Sequence, residues 1–125
     1  MTREEITTAE IAKPVGPFSA AVRANNFTFV SGQVAQDPAT GALIDGDVSA
    51  QTEQVFRNVS AVLEAAGKTL EDVVRVGVYL TDMADFAAVN AVYGQMFSAP
   101  YPARTAIGVA ALPLGAAVEV DVIVH

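Results

Sequence analysis

Asp47-Val-Ser-Ala-Gln-Thr-Glu-Gln-Val-Phe-Arg-Asn-Val-Ser-Ala-Val-Leu-Glu-Ala-Ala-Gly67, followed after five residues by Val73-Val-Arg-Val-Gly-Val-Tyr-Leu80, sets the fold class. Its hydrophobic period changes once. Thr52, Val55, Phe56, Val59, Val62, Leu63 and Ala66 recur at i, i+3, i+4 and i+7, which is one apolar face and predicts a helix over residues 48–66. Asp47 stands at the N-cap, where a carboxylate can accept from the free N–H groups of the first turn, and Gly67 stands where the chain must leave the helix. Beyond it Val74, Val76, Val78 and Leu80 alternate onto one side, so residues 73–80 are expected to be a strand.

Downstream, Phe86, Val89, Tyr93 and Phe97 mark the inner face of a second helix, Met83 to Phe97, with Asp82 as its N-cap and Asp85 in its first turn. Pro100 and Pro102 forbid its continuation. Two strands follow, near Arg104–Val109 and Val118–Val124, read as a pair. Upstream, residues 27–31 alternate and face Ala20–Ala24 across Asn25-Asn26, a dipeptide that tolerates the positive φ of a tight hairpin. Pro38 to Gly46 form a polar loop. Strand pair, helix, strand, helix, strand pair implies an α+β layer with both helices on a single face of one sheet.

With 125 residues the chain fits a single domain, residues 1–125. Its 52% apolar content is rich for that size and points to burial beyond one core, with a subunit interface as the natural place. Seven Lys and Arg against fourteen Asp and Glu give a net charge of −7, with no basic cluster, which disfavours nucleic acid. Cysteine is absent and His125 is the only histidine, so thiol chemistry is excluded and a Ser-His-Asp triad or His-rich metal site is disfavoured. The opening MTREEITTAEIAK does not read as a signal peptide, and no apolar run suits a membrane span; a cytoplasmic protein is expected.

Four places have residues suited to chemistry. Arg104 follows Tyr-Pro-Ala, where a rigid turn feeds a strand, and its guanidinium is a fork for a carboxylate; the plainer reading is a solvated arginine. Glu119 and Asp121 alternate with Val118, Val120 and Val122, so both acids share the face opposite the valines. There Glu119 could act as a general base toward water, or simply be solvated. Ser31-Gly32 closes an apolar strand, at a glycine that admits a ligand or a neighbouring backbone, or that marks a bulge. Asn90 shares the inner face of the second helix, where an amide needs partners; tying down a loop is the favoured role and reaching the site the other. There is no phosphate-cradling glycine loop and no His-Glu metal motif.

In one order along nearly the whole chain, the segments Lys-Pro-Val-Gly-Pro-Phe-Ser (13–19), Phe-Val-Ser-Gly-Gln (29–33), Ala-Gln-Thr (50–52), Asn58, Ala-Ala-Gly (65–67), Val-Asn-Ala-Val-Tyr (89–93), Pro-Ala-Arg-Thr (102–105), Val-Ala-Ala-Leu-Pro (109–113) and Val-Glu-Val-Asp (118–121) resemble the RidA/YjgF family, formerly also described as translation inhibitors. The resemblance implies a mixed six-stranded sheet with a fold like bacillus chorismate mutase, assembled as a homotrimer with clefts between adjacent subunits. It implies hydrolysis, without a cofactor or metal, of 2-aminoacrylate, 2-iminopropionate and 2-iminobutyrate to 2-oxo acids and ammonia. By matching motif, Arg104 would clamp the substrate carboxylate and Glu119 would activate water or shuttle a proton. Phe18, Ser31, Gly32 and Asn90 would bind substrate, with backbone around Ile107 contacting the imino nitrogen.

The chain departs from the family pattern at three positions. Phe18 stands where Tyr is common, Ala20 where Gln is frequent and Ile107 where Cys is often found. Phe18 and Ala20, being more apolar, suit a larger substrate. Two other readings compete: a non-catalytic trimer binding small carboxylates and regulating an enzyme of amino-acid metabolism, and a ribonuclease, against which the acidic charge and the lack of a catalytic histidine both argue.

Overall fold

The structure, a computed structural model, describes residues 2–125. Strands β1 (Glu4–Ile6), β2 (Ala21–Ala24) and β3 (Phe27–Gln33) precede helix α1 (Val48–Ala65). Strand β4 (Val73–Leu80), helix α2 (Phe86–Met96), β5 (Ala103–Gly108) and β6 (Val118–Val124) complete the order. One mixed six-stranded sheet results, in the spatial order β1-β2-β3-β6-β4-β5, antiparallel except where β4 runs parallel to β5.

Both helices cover the same face. Val118, Val120, Val122 and Val124 of β6 and Val76, Val78 and Leu80 of β4 are buried against Val55, Phe56, Val59, Val62 and Leu63 of α1 and Val89, Tyr93 and Phe97 at α2. Each such side chain contributes about 1.5–3 kcal/mol when taken out of water, which is why the seven-residue alternation of β6 occupies the centre of the sheet. The opposite, helix-free face carries Glu119, Asp121, Ile123, Phe27, Phe29, Tyr79 and Ile107, as the strand registers require. Phe27, Phe29 and Ile107 are 40%, 42% and 45% exposed.

Local signals place the elements. Asp47 Oδ1 accepts from Ala50 N at 2.9 Å to cap α1, and Gly67 turns out of it at φ +74°. Asn25 takes φ +55° in the two-residue hairpin between β2 and β3. Asp82 Oδ1 accepts from Ala84 N at 2.9 Å, but it caps a 3₁₀ turn, Met83–Asp85, before α2 proper begins.

Two expectations are corrected, and one strand is new. Strands β5 and β6, read as a pair, are separated by β4, because the parallel β4–β5 connection through α2 leaves β6 to fill the gap beside β3. Val74 is exposed rather than buried with Val76, because an irregularity between Val73 and Arg75 reverses the alternation at the start of β4. The short edge strand β1 was not apparent from the pattern; Glu4 pairs with Arg23, which also donates to the Ala66 carbonyl at the end of α1.

Candidate functional site

Glu119 is built into the helix-free face. Between Val30 and Gln33, strand β3 gains a residue relative to β6, and this bulge falls on Ser31-Gly32, beside Glu119. A Cβ at Gly32 would collide with the Glu119 carboxylate, so the glycine makes room for an acid of the next strand. Gly77 of β4 does the same for Asp121, where a Cβ would overlap its Oδ1. Burial first, and then the charge of Asp121, push the Glu119 carboxyl above the ordinary glutamate range. Tyr79 donates to Asp121 Oδ2 at 3.0 Å, which raises the phenol's own pKa.

A cleft of about 720 Å³ opens over Glu119, lined also by Phe18, Ser31 and Gly32 together with Lys13, Val15, Val34, Gln36 and Leu114. Its walls are tied down by polar side chains. Ser31 Oγ donates to the Ser19 carbonyl at 2.6 Å and holds the loop that contains Phe18 against β3. Asn58, buried on α1, donates to the carbonyls of Val34 at 3.2 Å and Gln36 at 3.0 Å. Gln51 Oε1 accepts from Ala117 N at 2.9 Å, just ahead of β6.

Arg104 lies elsewhere. It pairs with Val76, and so points to the helix-covered side of the edge strand β5. Its guanidinium stacks on the Tyr93 ring at 4.6 Å and nears Phe86 at 5.5 Å, while Nη1 donates to Asn90 Oδ1 at 2.7 Å. Asn90 is half-buried and ties down Arg104, not a loop. Tyr93 Oη, buried under the guanidinium, has no hydrogen-bond partner among the described residues. A second cavity, about 360 Å³, is lined by Asn90, Tyr93, Gly94, Tyr101, Pro102 and Arg104.

Arg104 and Glu119 therefore stand on opposite faces of the sheet within one chain. Among the described residues, neither has a charged partner within ion-pair distance. Ile107 is exposed on the helix-free face of β5, whose outer edge has no strand beside it among the described residues. Ala20 is 5% exposed and belongs to the core, so its side chain does not shape the cleft. His125 packs its ring on Phe27 and lines neither cavity. The sequence reading missed Lys13, Val15 and Leu114 as cleft residues and Asn58 as its tether. Only Asn58 carried a signal, an amide within an apolar helix stripe.

Residues 7–125 match the family model described as Endoribonuclease L-PSP. A RidA structure from an Antarctic Psychrobacter is 47% identical, covers 98% of both chains and superposes with a TM-score of 0.93. The chain belongs to the RidA/YjgF family. Among its RidA/YjgF relatives, a RutC family protein of Pyrococcus horikoshii is 46% identical over 123 residues, 98% of each chain. A goat protein named 2-iminobutanoate/2-iminopropanoate deaminase is 42% identical over 123 residues, 98% of this chain and 90% of its own. Deaminase names within RidA/YjgF stand beside the endoribonuclease description of the family model, so the chemistry of the site must discriminate between them. No helix among the described residues is long and apolar enough to cross a membrane.

Proposed function

We propose that this protein is a deaminase that hydrolyses short 2-imino and enamino acids to 2-oxo acids and ammonia, at sites shared between adjacent copies of a homotrimer. One observation carries the reading: a hydrogen-bonded guanidinium and a half-buried carboxylate on opposite faces of one chain, neither with a charged partner within ion-pair distance among the described residues. Packing the edge strand of one copy against the cleft of the next brings the two halves into one pocket. The exposed Phe27, Phe29 and Ile107 and the unpaired edge of β5 are the surfaces such packing covers.

In that pocket Arg104, held by Asn90 and Tyr93, pairs with the substrate carboxylate through two parallel hydrogen bonds. Glu119 takes a proton from water as its oxygen bonds to the imino carbon, and the C=N π electrons pass to nitrogen. Proton return to nitrogen lets the C–N bond break, releasing ammonia as Glu119 takes the hydroxyl proton and the carbonyl forms. An enamine first gains a proton at its β-carbon to enter the same path. A protonated imine is already electrophilic, so orientation and one base suffice without a cofactor. Ser31 and Gly32 hold the wall beside Glu119, Phe18 lies across the cleft, and backbone at Ile107 approaches the imino nitrogen. A net charge of −7 and the absence of a histidine from both cavities argue against RNA cleavage.

The test generates 2-iminopropionate in situ with an amino-acid oxidase and times its loss. Acceleration over buffer that falls by roughly a hundredfold or more in Arg104→Ala, with the oligomer intact, is expected. Binding of small carboxylates without turnover of any imine would instead make the protein a carboxylate-binding module.

A further inference from the structure

The walls of the Glu119 cleft are largely apolar. Val15 is 91% exposed, Phe18 53% and Leu114 58%, and all three line the cavity that holds the carboxylate, together with Pro14, Val34 and Pro113. Single exposed apolar side chains are ordinary; three around one acid make a lining. Two of the three are held by their own turns. Phe18 N donates to the Gly16 carbonyl at 2.9 Å, and the Ser31–Ser19 bond fixes the next residue to β3.

Leu114 is there against its backbone preference. It adopts φ +61° and ψ +16°, the left-handed region that glycine and asparagine occupy readily and a branched apolar residue seldom does. Hydrogen bonds from Gly115 N to the Leu112 carbonyl at 3.3 Å and from Ala116 N to the Pro113 carbonyl at 3.1 Å hold the turn. A glycine or asparagine would satisfy this backbone at less cost and leave the rim wet. Leucine makes it apolar, and strain at a site wall is where a side chain is used.

Resting on the deaminase reading of Glu119, we propose that Val15, Phe18 and Leu114 form a side-chain subsite that selects 2-imino acids bearing bulky apolar side chains, the class derived from leucine, methionine or phenylalanine, over the alanine-derived imine. In a single copy, before a neighbour brings its arginine to it, the cleft measures about 720 Å³, within the roughly 300–1,000 Å³ of small-ligand sites. With the carboxylate at the arginine and the imino carbon at Glu119, the remaining substituent has this lining to occupy.

Imines generated in situ from alanine, leucine and phenylalanine give the ratio of kcat/KM values directly. The wild type should favour the leucine-derived imine over the alanine-derived one by about tenfold, the discrimination that burial of a few methylene groups provides. Leu114→Gly relieves the backbone and removes the side chain; Leu114→Asn keeps the left-handed turn and the size but is polar. Both should reduce the leucine-to-alanine ratio by about fivefold or more. A ratio near one in the wild type, or one unchanged in both variants, overturns the subsite while leaving the deaminase reading in place. No acceleration with any imine, the alanine-derived one included, removes the deaminase reading itself and the subsite with it.

Discussion

Gly32 and Gly77 are notches on the helix-free side of the sheet, each filled by a carboxylate of β6. Their spacing lets two acids lie side by side, and burial first, then the charge of Asp121, keeps the Glu119 proton bound more tightly than in an ordinary glutamate. Gly32→Ala should displace the carboxylate at the end of the flexible Glu119 side chain and lower kcat/KM by about tenfold or more with little change in melting temperature; steady-state rates and a thermal melt read the two effects separately. In the proposed reaction Glu119 acts as a base and must be ionised, so kcat/KM should rise with pH through the titration of this carboxyl, which burial and Asp121 push up and the neighbouring copy's Arg104 pulls down. Asp121→Asn keeps an acceptor for Tyr79 but removes a negative charge, and should move that midpoint down. The same shift has a stability sign. Because the folded carboxyl binds its proton more tightly than the unfolded one, the contribution of neutral Glu119 is full below the ordinary glutamate range and fades as pH rises through the folded value. Denaturation of Glu119→Gln across that window should lack this fall.

Helix α1 both covers the core and ties the cleft to it. Asn58 and Gln51 sit among its buried residues and hold the Val34–Gln36 segment and the chain before β6. Asn58→Ala would leave the Val34 and Gln36 carbonyls without this donor, a loss of about 1–3 kcal/mol, read as a lower denaturant midpoint at unchanged slope. Asp47→Ala, which removes only the cap, should cost about 1 kcal/mol by the same measurement. Elements with an unbroken period and a capping residue at each end were legible in the sequence. Helix α1 and strand β6 stand where their patterns put them, within a residue or two. What local pattern does not contain is which strand lies beside which: β4 between β5 and β6 is a tertiary outcome, and β1 exists through its pairing with β2. Leu114 was hidden for a related reason, since nothing in Pro113-Leu114-Gly115 signals that the leucine itself takes the left-handed conformation.

At the scale of the molecule, residue type suggested an arginine and a glutamate as partners, and one chain holds them on opposite faces of its sheet, on strands that β4 separates. The account turns on their being reunited between copies. Arg104→Ala and Glu119→Gln chains should each be inactive toward 2-iminopropionate when pure. Co-expressed in equal amounts so that they assemble together, they should regain about a quarter of wild-type activity, since each shared site then has an even chance of drawing an intact residue from each contributor. Mixed assemblies, verified as mixed, that remain as inactive as either parent would contradict the shared site.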